Sequence, residues 1–426
     1  MKNKLKKIVL LIEEKCPFFG KQLVIFLRFL RFFFYYKPLL YFSRSKFSDI
    51  DTFKVYWINP VKIHYCFNGK INLQKDRGTI RSGEWDQEGQ KFEETTIYKG
   101  IKARFIENKK WEDTKLYSEI LKQIKGGKVV YGCHTYEKFK ENLKKIDKLY
   151  NSIAKEGYKS QSEVAKENYH GDLFYKKIDE ILVSIGRDGQ LFFNDGAHRL
   201  AIAKILTLPK IPIMILERHK KWVNFKNELK LYAKLTKGKL YQPAYHFDLA
   251  DIPFIYGSDR FELIKNNISL SGGKVIDIGA NFGYLCHRFE KIGFYCCAVE
   301  INPQDVYFMQ RLRDINNDKF EIIQKSIFDY RKDQVLNFDV VLALNIFHHF
   351  LKRKTTYEEL KKLLRRLKCK EMFFGSHNHR ESQMKGSFKN YTPEEFVKFI
   401  LKNSCLNSYV LIKEYPGGRR LYKLYS

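Results

Sequence analysis

Beyond Lys274 the chain alternates short, unbroken apolar runs with longer stretches in which apolar residues return every third or fourth position. The runs Val275-Ile-Asp-Ile278, Tyr295-Cys-Cys-Ala-Val-Glu300, Phe320-Glu-Ile-Ile-Gln324 and Phe338-Asp-Val-Val-Leu-Ala-Leu344 are too short for helices. Apolar residues at successive positions are what strands covered on both faces require. Strands separated by helices at this pitch predict an α/β, doubly wound parallel sheet. The chain before residue 223 follows another rhythm. Val55-Tyr-Trp-Ile58 and Val61-Lys-Ile-His-Tyr65 read as strands parted by Asn59-Pro60, and charge-rich helices follow over 111–124 and 136–155. Ile181-Leu-Val-Ser-Ile185 alternates like a strand, Arg187-Asp-Gly189 supplies a hairpin turn, and Leu191-Phe-Phe193 returns. Asp195-Gly196 turns again into a helix with apolar spacing at Leu200, Ile202 and Ile205, before a last strand, Ile211-Pro-Ile-Met-Ile-Leu216. That order predicts a smaller α+β domain. Trp85 and Trp111 read as buried structural residues.

These patterns divide the chain into a basic aromatic N-terminal helical segment (1–50), the α+β domain (51–222), a Lys- and Tyr-rich linker (223–257) and the doubly wound domain (258–426). In the first segment, Leu23 to Tyr36 is strongly apolar but interrupted by Arg28 and Arg31. A spanning helix needs about 20 predominantly apolar residues, and two central arginines are costly there. A secretory signal also fits badly, for want of a small-residue cleavage site. Two readings stay open. One is a helix lying on the membrane through residues 1–42, with Lys2, Lys4, Lys6, Lys7, Lys21 and Lys37 toward anionic headgroups. The other is a helix docked on the rest of the protein.

Charge changes the picture only partly. With 78 Lys+Arg against 48 Asp+Glu the formal charge is +30 and the pI about 9.6, which favours nucleic acid, anionic lipid or phosphorylated partners. A composition rich in Lys, Asn, Ile, Phe and Tyr throughout produces the same charge without selection for binding. The eight cysteines include no CxxC pair and no histidine at metal-ligand spacing. No metal is expected, Cys296 and Cys297 belong in a core strand, and a reducing cytoplasmic setting fits.

The chemistry concentrates where strands end. Gly279, Asn281 and Gly283 follow the first strand of the doubly wound domain, where the backbone must come close to a ligand. Asp277 lies inside that strand, and Glu300 closes the next, where an acid can accept from a ribose diol. This succession resembles the class I S-adenosylmethionine (SAM)-dependent methyltransferases over nearly all of 266–426. Motif I corresponds to Val275-Ile-Asp-Ile-Gly-Ala-Asn-Phe-Gly283, the ribose acid to Glu300, and motif IV to Asp339 through His349. The resemblance implies SAM as cofactor, with Asp277, Gly279, Ala280, Asn281 and Gly283 around its methionine part. Ser326 and Ile327 then lie beside the adenine, and Asn345 in motif IV completes the set. The family often has Asp where Ser326 stands. A dinucleotide enzyme is the rival for the glycine loop alone, but the place of Asp277 and motif IV argue against it.

Methyl transfer to a hydroxyl needs a base, and His348 or His349, just past the fourth strand, is the candidate. His377 and His379 could face the same cleft. No Asn/Asp-Pro-Pro-Tyr/Phe motif stands at Asn345, which argues against an exocyclic base nitrogen as acceptor. An O-directed methyltransferase acting on a small molecule or glycan is expected. Thr392 and Pro393 mark a helix start.

In the α+β domain, residues 144–216 resemble the ParB/sulfiredoxin fold through the DG-x-HR turn. Asp195, Gly196, His198 and Arg199 sit at a helix N-terminus, where backbone N–H groups and Arg199 suit a nucleotide or phosphate. Ala197 precedes His198, so the sulfiredoxin cysteine is missing and reductase chemistry is not implied. Members of that fold include nucleases, DNA-partitioning CTPases and kinases. Two wider readings follow. The protein could be a bifunctional kinase-methyltransferase working on a lipid-linked glycan at the membrane, or a nucleic-acid-binding modifier.

Overall fold

The computed structural model describes residues 54–426 apart from 74–75, 88, 131–132, 134, 162, 165–179, 237 and 258. The segment 1–50, with both membrane readings, lies outside the described residues. Contacts divide the chain into units 1–225 and 226–426.

In the first unit β1 (Val55–Ile58), β2 (Ile63–Cys66), β3 (Thr79–Arg81), β4 (Ile181–Ile185), β5 (Leu191–Asp195) and β6 (Ile211–His219) form one sheet. Its order is β1-β6-β4-β5-β2, with β3 also on β6. The hairpin expected between β4 and β5 is present: they pair antiparallel, and Gly189, at φ +80°, donates its N–H to the Gly186 carbonyl at 3.1 Å. Every residue of β6 is buried. Helices α1 (Thr96–Phe105), α2 (Lys115–Lys125), α3 (Tyr136–Glu156) and α4 (Ala197–Ile205) complete the unit. Phe139, Leu143, Ile146 and Ile153 give α3 one apolar stripe. Trp111 is buried, and its indole N–H donates to Asp147 Oδ1 at 3.1 Å. Trp85 is half-buried, with its ring 5.0 Å from Phe67 and 5.6 Å from Phe192.

The stretch 223–257, read as a linker, begins within a helix. Helix α5 spans Lys220–Leu235 and buries Trp222, Phe225, Leu229 and Ala233. Those positions follow helical spacing, which the surrounding lysines obscure in the sequence.

In the second unit α6 (Asp259–Asn267) leads into β7 (Gly273–Ile278), α7 (Tyr284–Glu290), β8 (Phe294–Glu300), α8 (Pro303–Ile315) and β9 (Glu321–Gln324). The chain then makes the short β10 (Leu336–Asn337), β11 (Val340–Leu344), α9 (Phe347–Phe350), α10 (Lys354–Arg366), the short β12 (Leu367–Lys368) and β13 (Glu371–Gly375). Helix α11 (Pro393–Asn403) and the hairpin β14 (Ser408–Glu414) and β15 (Arg420–Tyr425) end it. The sheet order is β14-β15-β13-β11-β7-β8-β9. Strands β9, β8, β7, β11 and β13 run parallel, and β15 lies antiparallel between β13 and β14. This is the doubly wound α/β sheet expected, with a hairpin at one edge. Thr392 caps α11 in a full capping box with Glu395, and Pro393 takes the first turn.

Successive side chains of a strand face opposite sides. Ile276, Ile278, Val341, Ala343, Met372 and Phe374 therefore meet α10 and α11, whereas Val275, Val340, Leu342 and Phe373 meet α6 and α7. Asp277 falls between Ile276 and Ile278, on the α6–α7 side. The strand order reverses between β7 and β11, and the crevice outside the carboxyl ends of strands at such a switch point is where this architecture binds ligands.

Candidate active site

Three segments meet at that switch point. The first is the glycine loop. Gly279, Asn281 and Gly283 are all left-handed, at φ +74°, +52° and +70°. A methyl group on Gly283 would lie 2.9 Å from Met309 Cγ, so this glycine is required for packing the loop onto α8. At Gly279 the added carbon would meet Ile346 Cδ1 at 3.0 Å. The Gly279 and Ala280 N–H groups donate to the Val299 carbonyl at 2.9 and 3.2 Å, which ties the loop to β8.

The second segment is the end of β8. Glu300 is nearly buried, and its Oε2 accepts from the Asn281 N–H at 2.9 Å. Its Oε1 accepts from the N–H groups of Ile301 and Asn302 at 2.8 and 2.9 Å. Three backbone donors hold the carboxylate in place, and of its roughly four lone-pair sites one, on Oε2, is left for a ligand hydroxyl. The Asn281 side-chain oxygen is buried without a partner. Asp277 is 2 % exposed; burial, and then Glu300, push its carboxyl up to about 7, with Arg260 opposing. Two acids so close, one lacking a compensating partner, favour a cationic group and penalise a pyrophosphate.

The third segment follows β11. Asn345 is buried at φ +58°, donating its N–H to the Gly375 carbonyl at 3.1 Å and its side-chain amide to the Tyr241 hydroxyl at 3.2 Å. His348 is buried, its Nδ1 has no partner, and its ring stacks 5.4 Å from that of His377. Burial, then the neighbouring His349, His377 and Arg419, lower His348 to about 3. His349 lies at the surface, but its neighbours still lower it, partial burial first, then Lys352 and Arg419. His377 hydrogen-bonds Asn390 Oδ1 through Nε2 at 3.2 Å. Asp339 sits at the opposite end of β11. It accepts from the Lys274 N–H at 2.9 Å and pairs with Lys370 at 2.9 Å, which staples the strand starts.

Ser326 and Ile327 follow β9. Ser326 Oγ accepts from the Phe328 N–H at 3.3 Å, and Ile327 packs into the core beside Val299. Sequence patterns miss Tyr241, Tyr256, Arg260, Glu381 and Arg419. They come from loops and helix starts with no motif, and the one visible sign is a buried arginine on an otherwise apolar helix face.

The DG-x-HR turn of the first unit is built differently. Gly196, at φ +92°, starts α4, and exposed Asp195 accepts from the Gly196 N–H at 2.8 Å. His198 is half-buried and lowered, by burial first and Arg199 second. It lines an apolar cavity of about 430 Å³ with Leu116, Phe139 and Ile146. Arg199 lines another, of about 320 Å³, with Tyr158, Lys159 and Gln161. The two residues expected to share one site face separate cavities.

Residues 276–367 match the family model described as a methyltransferase domain. The match lies within the second unit, on its doubly wound α/β sheet. Among curated proteins, the tRNA U34 carboxymethyltransferase of Dichelobacter nodosus is 31% identical over 90 residues, or 20% of this chain. That stretch covers only 28% of the relative's own length. Among solved structures, the bifunctional kinase-methyltransferase WbdD is 20% identical over 46% of each chain, with a TM-score of 0.39. The N-methyltransferase NodS from Bradyrhizobium japonicum WM9 is 13% identical over 39% of this chain and 94% of its own, with a TM-score of 0.32. Among the described residues no helix is long and apolar enough to cross a membrane.

Proposed function

We propose that the second unit binds SAM in the crevice between the glycine loop and Asn345 and methylates an oxygen of a small-molecule or glycan acceptor. The supporting observation is the pair Asp277 and Glu300, both buried beside the left-handed loop, with the Asp277 carboxyl pushed up by burial and by Glu300. SAM supplies an electrophilic methyl on a sulfonium, and its ammonium and sulfonium match this acidic surrounding. Glu300 would hold the ribose diol, Asp277 the methionine ammonium, the Gly279–Gly283 backbone the chain between them, and Ser326 and Ile327 the adenine edge.

Little else is asked of the protein than placement and a proton acceptor. His348, held neutral and far below the usual histidine range, is a weak base and serves to orient the acceptor by a hydrogen bond. His349, nearer the solvent, takes the hydroxyl proton. In the first unit, the N-terminus of α4 with Arg199 is a nucleotide- or phosphate-binding module of ParB/sulfiredoxin type. Should ATP be hydrolysed in an Arg199-dependent way, the protein is bifunctional. Steeply salt-dependent binding to random DNA would instead mark it as a nucleic-acid modifier.

Calorimetric titration of SAM into the full chain tests the central reading. Micromolar binding is expected, weakened tenfold or more (about 1.4 kcal/mol) by Asp277→Ala and by Glu300→Ala. No heat from a folded wild type would sink it.

A further inference from the structure

The seven-stranded sheet of the second unit has two edges, and they are finished differently. At one edge β9 is four residues long, with Glu321, Ile322 and Ile323 partly buried and Gln324 at its end. At the other, β14 is seven residues long and places Tyr409, Val410 and Leu411 in succession at 41%, 45% and 44% exposure. Among the described residues no strand pairs with its outer side. Three consecutive exposed apolar residues on an edge strand are what sheet proteins ordinarily avoid, because the outer N–H and C=O groups can pair with another strand.

Pairing on the inner side fixes which face these side chains take. Tyr409 lies opposite Leu424 and Leu411 opposite Tyr422, and both partners belong to the core that meets α10 and α11. Directly opposed residues share a face of the sheet, so Tyr409 and Leu411 carry that core past its last covered strand. Val410, opposite Lys423, takes the other face. After Leu411 the register shifts, which bends the strand, and Glu414 is taken up by Arg420 at 2.8 Å. The stretch open to a partner is therefore 408–412, about 17 Å of strand.

That stretch, Ser408-Tyr-Val-Leu-Ile412, is matched to itself. Two identical strands laid antiparallel are related by a two-fold axis. With the axis through Val410, each Tyr409 faces Leu411 of the second copy, Val410 faces Val410, and Ser408 faces Ile412. All three exposed apolar residues then gain a cross-strand partner of the kind that stabilises sheets. Asn407 meets Lys413 and Leu406 meets Glu414, so no like charges are opposed. Moving the axis to Leu411 would set Tyr409 against Lys413 and Ser408 against Glu414, and the apolar match is lost.

We propose that β14 is an interface for a second copy of this chain, pairing antiparallel about Val410 so that two seven-stranded sheets become one. The shared edge is shorter than a standard interface needs, so the dimer forms reversibly as concentration rises. The formal charge of +30 on each copy opposes it, and salt that screens this repulsion strengthens it. The pairing does not depend on methyl transfer.

Sedimentation of the full chain over a range of concentrations tests it. The wild type is expected to pass from monomer to dimer. Val410→Lys and Val410→Glu each oppose like charges on the axis and should weaken the dimer by about tenfold. Their Tm should not change, because Val410 is already half in water. Mixing the two variants in equal amounts should restore the dimer, since lysine then faces glutamate. In a Cys405→Ser background, which removes an exposed native thiol, Val410→Cys should cross-link to itself in oxidised glutathione. Tyr409→Cys, which faces Leu411, should not. A wild type that stays monomeric up to its solubility limit would overturn the proposal and leave the edge to a different chain. A dimer that Val410→Lys leaves intact would overturn it too, as would cross-linking through Tyr409→Cys in preference to Val410→Cys.

Discussion

Two helices of this protein begin the same way and are surrounded differently. Helices α7 and α4 both start at a left-handed glycine, Gly283 at φ +70° and Gly196 at φ +92°, and neither has a side-chain cap. A helix start of this kind leaves backbone N–H groups free to take an anion. At α4 the neighbourhood agrees with that tendency: Arg199 stands beside the turn, and Asp195 is exposed and bonded to its own loop. Before α7 the neighbourhood opposes it. Asp277 and Glu300 crowd the loop, and Glu300 occupies the Asn281 N–H. The backbone device is the same at both places, and the side chains around it differ in charge. Burial also differs in cost. Burial raises both Asp277 and the fully buried Glu217 of the first unit, but Glu217 accepts from Arg81 at 2.7 Å, which opposes its rise, whereas Asp277 is opposed by the more distant charge of Arg260.

The largest effect that would test this contrast is at Asp277. Its folded carboxyl sits at about 7, above the ordinary Asp value of 3.8. The native state therefore binds more protons than the unfolded state in that window, and stability falls as pH rises through it. Asp277→Asn should remove the fall and stabilise the unit at pH 8 by up to about 4 kcal/mol, while weakening SAM. Trp57, Trp85, Trp111 and Trp222 all lie within 1–225, so indole fluorescence would not see it. Hydrogen exchange of the β7 amides between pH 4.5 and 8 would. Parallel curves for wild type and variant would mean that Asp277 carries no uncompensated charge.

Glycine substitutions compare the two turns directly. Gly283→Ala forces a methyl 2.9 Å from Met309 Cγ and 3.2 Å from Phe320 Cζ, at a φ that alanine disfavours. A loss of about 2–3 kcal/mol is expected. Gly196→Ala meets only longer contacts, Ile181 Cγ1 at 3.1 Å and Ile181 Cα at 3.2 Å, and should lose about 1–2 kcal/mol. Equal losses in urea titrations would erase the packing distinction.

The histidines give a smaller effect, on rate. His349→Gln should slow methyl transfer by about 10- to 100-fold and remove the acidic limb of the pH–rate profile. His348→Gln should cost less and leave that limb in place, since His348 titrates only near 3. The reverse ranking would make His348 the base.

How much of this was legible beforehand follows from where the information lies. Four of the five parallel strands of the second unit, the glycine loop, the place of Glu300 at the end of β8 and the Thr392 cap each rest on spacing within a few residues, and all appear in the structure as expected. The edge hairpin β14–β15 was not foreseen, because Tyr409, Val410 and Leu411 remain exposed and give no buried-strand run. Helix α5 was hidden by lysines on its solvent side. Arg260, Arg419 and Glu381 lay beyond reach for another reason. They come together only when loops some 120 to 160 residues apart close on one cavity, and no local pattern encodes that. The DG-x-HR turn was legible as a turn, but not the divergence of His198 and Arg199 into separate cavities.

That divergence supports the smallest and most selective prediction. Arg199 sits at the start of α4 on a half-buried site, so Arg199→Ala should change stability by less than about 1 kcal/mol. If the N-terminus of α4 and Arg199 form an anion site, the same substitution should abolish saturable binding of inorganic phosphate or ATP. His198 faces the apolar cavity of Leu116, Phe139 and Ile146, so His198→Ala should leave phosphate binding intact and act on packing alone. Calorimetry with phosphate on both variants separates the cases. Equal loss in the two would mean that the pair works as one site and that a ligand draws the cavities together. Retention in both would leave the turn with a structural role, and would sharpen the contrast with the second unit into one between a turn that binds and a turn that only packs.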